Sequence, residues 1–371
     1  MRYRTFSTSV LALVFATGLL IALPGCELNI TNPNNPSEEQ VLTTPEGVRT
    51  LTVGLQEYYA TTTLAEMVLT TGVSSREVAV NTTLANLVEL EAGGTDLPSG
   101  NADVGAVWSA NYRVVGVAED LIAAVPTVQL DEGVRSGIVA TAHLFKAAAL
   151  GNLALVFEQA SVTTNRVESV SFVPREQVLG EAIRLLDDAL TLIDQSPPSS
   201  DFNDNVLASG LDLRNTINAY RARFNLLAGN NQAAIDAANA VDATVASTFG
   251  YNDQSPNPVW SGIVQSTNYA VRDDFGSSLT EAGDQRVEYF TTEADEVSGS
   301  TSAFPIDDLA AYTSSTSPFP VYVPGEMALI RAEAKLNRDE PLSEVVSEID
   351  AVRTKTAADD PLGIGAGLPT Y

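Results

Sequence analysis

The chain has 371 residues, 47 Asp and Glu against 20 Lys and Arg, a formal charge of −27, one Cys and one His. So acidic a chain repels phosphate backbones, which argues against nucleic-acid binding, and a lone thiol excludes an internal disulfide. The length is ample for a substantial core, in one large domain or two smaller ones.

The N-terminus reads as a secretion signal. Arg2 and Arg4 supply positive charge, residues 10–23 are uncharged and apolar, and Leu23-Pro24-Gly25-Cys26 closes the run with a small residue before the cysteine. The run is too short to span a membrane, which takes roughly 20 apolar residues, and no later segment is continuously apolar for that length. The L-P-G-C ending resembles a lipobox, whose cysteine is diacylated with palmitate-type chains once the preceding residues are removed. Residues 1–25 are therefore expected to be a lipoprotein signal peptide and Cys26 the lipidation site, with the rest of the chain outside the cytoplasm. The alternative is an ordinary cleaved signal followed by an incidental cysteine. Residues 26–40, rich in Asn and Pro, are expected to form an extended tether.

Helical periodicity then takes over. Within residues 104–125, Trp108, Tyr112, Val115, Glu119 and Ile122 recur at three- and four-residue steps. Residues 133–157 place Ile138, Ala142, Phe145, Ala149, Asn152 and Val156 on one side. The clearest stripe is Leu179, Ile183, Leu186, Leu190 and Ile193, with Pro174 and Glu176 suited to the helix start and Pro197-Pro198 ending it. Two helix pairs follow. Residues 213–228 and 232–244 flank Gly229-Asn230-Asn231, and residues 325–338 and 342–356 flank Asp339-Glu340-Pro341. Small residues such as Ala233, Ala237 and Ala240 facing larger neighbours suggest antiparallel hairpins of tetratricopeptide type, although the pairs are not contiguous. The expected fold class is all-α, one helical body over residues 41–371.

Residues 246–324 differ. Ser, Thr, Gly, Asn, Asp and Pro dominate, no helical rhythm persists, and eleven aromatic residues fall here, among them Phe249, Tyr251, Trp260, Tyr269, Phe304 and Tyr322. This is expected to be a loop-rich insertion carrying recognition loops. The alternative is that its rings only pack the loops onto the helices.

Several segments, in order, resemble the RagB/SusD family of outer-membrane nutrient-uptake lipoproteins. They are C-E-L-N-I-T-N-P-N-N-P-S-E-E from Cys26, V-W-S-A-N-Y-R-V-V-G-V-A-E-D-L-I from Val107, A-H-L-F-K-A-A-A-L-G-N-L-A-L-V-F-E-Q-A from Ala142, and V-P-R-E-Q-V from Val173. G-D-Q-R from Gly283, G-E-M-A-L-I-R-A-E-A-K-L-N from Gly325 and I-D-A-V-R from Ile349 complete the series. The family's closing E-R-R-x-E-L-like helix and aromatic-Asp-x-R-R-like stretch have no counterpart before Tyr371, so the chain reads as a short variant or a truncated copy. Asp350 stands where the family has Asn. Glu326, Arg331 and Glu333 are expected to hold the helical frame together; Arg331 is poorly spaced to pair with Glu326, and Glu333 is expected to meet another helix.

The resemblance implies a non-enzymatic protein at the cell outer membrane, lipid-anchored and surface-facing. It would capture an oligosaccharide or related nutrient and deliver it to a partner SusC-like TonB-dependent transporter, without a cofactor. Glycan recognition needs rings to stack on sugar C–H faces and polar groups for the hydroxyls. Trp260 and Tyr269 are the expected stacking platform, with Tyr251, Asn252 and Arg272 as further ligand contacts. A hydrolase is the contrasting expectation, but no G-x-S-x-G or H-E-x-x-H is present, and His143 lies in a helix rhythm that suits packing. The acid pairs Asp187-Asp188, Asp273-Asp274 and Asp307-Asp308 read as a solvated helix face and as turn residues or a weak calcium site; no regular calcium loop is present, so no metal is expected. A helical scaffold binding only protein partners is a third expectation, disfavoured by the aromatic insertion.

Overall fold

Residues 38–164, 170–273, 280–292 and 301–371 are described by the computed structural model. Cys26, the signal and nearly all of the expected tether lie outside the described residues. Residues 38–40 already belong to helix α1, Glu38–Thr43.

Helix α2, Pro45–Tyr58, starts where the Thr44 hydroxyl accepts the Gly47 N–H at 3.1 Å and proline occupies the first turn. It continues through a widened π turn, Tyr59–Thr63, into α3, Leu64–Ser75. After β1, Val78–Val80, and α4, Ala85–Ala92, come the long helices α5, Ala102–Ala124, and α6, Glu132–Val156. Asn101 and Asp131 cap them by accepting the N–H groups of Asp103 and Gly133. A two-residue pairing of β2, Gln159–Ala160, with β3, Val173–Pro174, leads into α7, Arg175–Gln195. Leu179, Leu186 and Ile193 of its stripe are buried, and Ile183 and Leu190 pack on the same core.

A short α8, Ser200–Asn205, precedes the hairpin of α9, Leu213–Leu227, with α10, Asn231–Asn239. The second helix stops five residues before the expected end. The Asp242 N–H donates to Asn215 Oδ1 at 2.9 Å, and the Asp242 carboxylate accepts the Thr244 N–H, so the chain turns instead of continuing the helix.

The described residues of the aromatic insertion include strands and a short helix where loops were expected. Its ends are clamped where β4, Thr248–Phe249, pairs antiparallel with β8, Phe319–Pro320. Between them run β5, Tyr269–Arg272, a short α11, Gln285–Phe290, β6, Thr291–Thr292, and β7, Ile306–Leu309. β1 joins these strands in a four-stranded antiparallel sheet of order β1-β5-β7-β6. Asp307 and Asp308 are therefore strand residues, not turn residues. Asp187 pairs with Arg221 at 2.7 Å and Asp188 with Arg184 at 2.5 Å.

The chain closes with the hairpin of α12, Pro324–Leu336, and α13, Leu342–Arg353. Packing runs α5 to α6, α6 to α7, α7 to α9, α9 to α10, α10 to α12 and α12 to α13. The two hairpins are thus neighbours in space although the insertion separates them in sequence. This is the helix-hairpin body expected, in a unit covering Val41–Tyr371. Its innermost helix is α6, the one described helix long and apolar enough to cross a membrane; 83% of that apolar window is buried within the body.

Polar contacts tie the helices together. Arg223 of α9 makes a two-pronged pair with Glu326 of α12 at 2.6 and 2.8 Å, and Arg331 pairs with Glu348 of α13 at 2.9 Å. Glu326 and Arg331 hold the frame as expected, through partners on other helices, whereas Glu333 is exposed and pairs with no other helix among the described residues. In the Gly283–Arg286 turn, Asp284 accepts the Arg286 N–H at 3.0 Å and holds its guanidinium at 2.5 Å. Arg353 binds Glu281 at 2.7 Å and lies 3.9 Å from the Tyr371 ring centre, which docks the last residues on α13.

Candidate functional site

The expected ligand residues separate into different places. Tyr251 and Asn252 follow β4 and line a groove of about 520 Å³ beside the junction of α2 with the π turn. Phe249, Gln56, Glu57, Thr61, Asn205, Ser209 and Ser255 line it as well. The Tyr251 hydroxyl donates to the Ala60 carbonyl at 3.1 Å, and burial pushes its pKa well above the usual range. That bond fixes the ring against the widened turn. The Ser255 hydroxyl donates to the Glu57 carboxylate, bridging the insertion to α2.

The groove's amides are used unequally. Gln56 is 2% exposed and fully engaged: its Nε2 donates to the Thr52 and Val206 carbonyls at 3.0 and 2.8 Å, and its Oε1 accepts the Ala208 N–H at 2.8 Å. Asn252 is exposed, and its Oδ1 accepts the N–H groups of Gln254 and Ser255 at 2.9 and 3.0 Å. That turn holds the side chain still while its Nδ2 donors remain unused by other described residues. A fixed ring, a pre-oriented amide and a hydroxyl–carboxylate pair around such a volume suit a hydroxylated, weakly apolar ligand.

Tyr269 and Arg272 lie on β5, three residues apart, and point to opposite faces of the sheet. Tyr269 packs against the cluster of Val73, Val80, Leu87 and Leu90, and its hydroxyl pKa is raised to about 12, by burial first and then by the nearby Asp103 and Glu66 carboxylates. One edge of it reaches a cavity of about 430 Å³ shared with Asn81, Asp307 and Asp308. Arg272 lies over the Phe304 ring, 4.0 Å from its centre.

Trp260 opens a second π turn, Trp260–Gln265, where its backbone N–H donates to Asn257 Oδ1 at 3.1 Å. It lines neither of these two cavities and makes no ring contact with Tyr269. The strand rotates Tyr269 toward α3 and α4, whereas Trp260 stays on the turn before it. The packing alternative holds for Phe249 and Tyr322, both 2% exposed. Elsewhere, Trp108 gathers Tyr112, Phe157 and Phe172 at ring distances of 4.7, 4.9 and 5.8 Å, with Phe172 still 59% exposed.

Glu57, Thr61, Asn205 and Ser209 belong to the groove but were not among the expected site residues. Nothing in their local pattern marks them, because the groove forms only when β4 and its loop return to α2. His143 is buried in α6 and lines neither cavity.

An α-rich body of stacked hairpins with a clamped, sheet-bearing insertion is a recognisable class of fold. It is the fold of SusD/RagB-like proteins. The chain superposes on a SusD/RagB family protein from Bacteroides thetaiotaomicron with a TM-score of 0.64 and 16% identity, over 87% of this chain and 75% of that one. A SusD-like carbohydrate binding protein from Bacteroides vulgatus matches with a TM-score of 0.66 and 14% identity, over 89% and 76% of the two chains. A laminarin binding SusD-like protein matches with a TM-score of 0.56 and 14% identity, over 89% and 86%. No protein-family model and no curated protein matches the chain.

Proposed function

We propose that the chain is a non-enzymatic nutrient-binding lipoprotein of the SusD/RagB family, which captures an oligosaccharide in the Tyr251–Asn252 groove. The observation that carries this is the groove itself: about 520 Å³, with a ring held by the Ala60 carbonyl and the uncommitted Nδ2 of Asn252 beside it. Its size lies within the roughly 300–1,000 Å³ typical of small-ligand sites. Similar folds named for carbohydrate and laminarin binding support a glycan as the ligand. The lipobox-like sequence supports anchoring through Cys26 at the outer face of the outer membrane, with residues 26–40 as the tether and residues 41–371 as the binding body. The family resemblance supports hand-over to a SusC-like TonB-dependent transporter.

The experiment is calorimetric titration of the wild type, Tyr251→Ala and Asn252→Ala with a panel of neutral oligosaccharides. At least one glycan is expected to bind the wild type, and each substitution to weaken it about tenfold, the size of one lost ring or hydrogen-bond contact. Equal affinity in all three proteins would remove the groove from the account, and no binding by the wild type would remove the glycan. The companion measurement is membrane fractionation of Cys26→Ser, expected to shift the folded protein out of the membrane fraction.

A further inference from the structure

In this strongly acidic chain, an arginine without a carboxylate partner needs a reason. Among the described residues, the cations that no carboxylate pairs are Arg76, Arg113, Arg175 and Arg272. Arg113 lies over the Tyr58 ring, 4.8 Å from its centre. Arg76 and Arg272 converge on one ring: their guanidinium carbons lie 5.9 and 4.0 Å from the centre of Phe304.

The sheet register produces this meeting. Val78 pairs with Val271, and the Arg272 N–H donates to the Glu77 carbonyl at 3.1 Å, which sets Arg76 beside the end of β5. Arg272 pairs with Ile306, so Phe304, two residues before Ile306, falls on the same sheet face as Arg272. Glu77 follows Arg76 in sequence, yet the two form no ion pair. Arg76 also sits in the left-handed region, φ 68°, where it ends α3 by donating to the Val73 carbonyl. Glycine or asparagine fills such a cap without strain; an arginine here is held against the backbone preference.

We infer that Arg76 and Arg272 form a carboxylate-binding subsite beside Phe304, and that the glycan captured by the protein contains uronic acid. This rests on the glycan-binding function proposed above. The two guanidiniums lie within about 10 Å of each other, about the Debye length at 0.1 M salt, so they repel, and an anion bound beside both relieves that repulsion. Each offers a planar fork of N–H donors that matches a carboxylate. The Phe304 ring holds the guanidiniums in place by cation–π contact and leaves their N–H edges to the carboxylate.

The test titrates fragments of polygalacturonate, alginate and glucuronate-containing glycans, each beside a neutral homologue, against wild type, Arg76→Gln, Arg272→Gln and Arg76→Gly. For at least one pair, the wild type is expected to bind the uronate form about tenfold more tightly, with a preference that shrinks as salt rises. Each glutamine variant is expected to lose that preference and keep its affinity for the neutral homologue. Arg76→Gly discriminates further, because it relieves the cap: its melting temperature rises while its uronate preference disappears. Neutral glycans bound with no uronate preference would overturn this inference and leave glycan capture intact. A preference that survives in all three variants would remove the subsite from these arginines. No binding of any glycan by the wild type would overturn both.

Discussion

His143 is 9% exposed in α6, and its Nδ1 has no hydrogen-bond partner among the described residues. Burial lowers its pKa to about 4; Arg184 and Lys146 push the same way, against Asp188 and Glu181. The folded pKa lies below the unfolded value of about 6.5, so the neutral ring's contribution is complete above that value. It is lost as pH falls from about 6.5 to about 4, a decline of up to about 3 kcal/mol. Urea unfolding of wild type and His143→Gln across this interval should show the wild-type advantage shrinking with acidity; a constant difference would contradict it. Packing could be read at this residue from its place in the helix rhythm, but its missing partner could not. Arg331 shows the same limit. Its poor spacing to Glu326 was visible locally, yet the partners these two residues take, Glu348 and Arg223, come from separate helices.

Elements were legible where one face is apolar and invisible where the buried face is polar. α5, α6 and α7 announce themselves by steps of three and four. α2 does not, because its buried face includes Thr52 and Gln56, and Thr63 of the π turn extends that polar face. The Thr52 hydroxyl is satisfied by the Val48 carbonyl at 2.7 Å, so a polar residue sits inside without penalty and erases the pattern. The strands of the insertion run two to four residues, too short for alternation to register. Close approach between elements was equally hidden. A Cβ on Gly151 of α6 would lie 2.0 Å from the Phe224 ring of α9, which leaves no room for a methyl group. Gly151→Ala should therefore destabilise the fold by about 1–3 kcal/mol, through displacement of Phe224, despite the better helix propensity of alanine. A urea midpoint equal to or above that of the wild type would show that the ring moves freely.

At the scale of the molecule, both hairpins were visible in the sequence but their contact was not. α10 meets α12 because β4 and β8 clamp the insertion at its base and return the chain to the stack. The same closure brings Tyr251 and Asn252 back to Gln56–Thr61, about 190 residues earlier in the chain. Two of the groove's lining residues, Tyr251 and Asn252, were thus named from residue type, while the rest depended on a long-range return that no local pattern encodes. The central claim is that this groove holds the glycan. Hydrogen-exchange footprinting of the full chain, saturated with its tightest neutral oligosaccharide, tests it directly. Protection is expected at residues 56–61 and 249–255. Unchanged exchange in both segments, with protection elsewhere, would contradict the account.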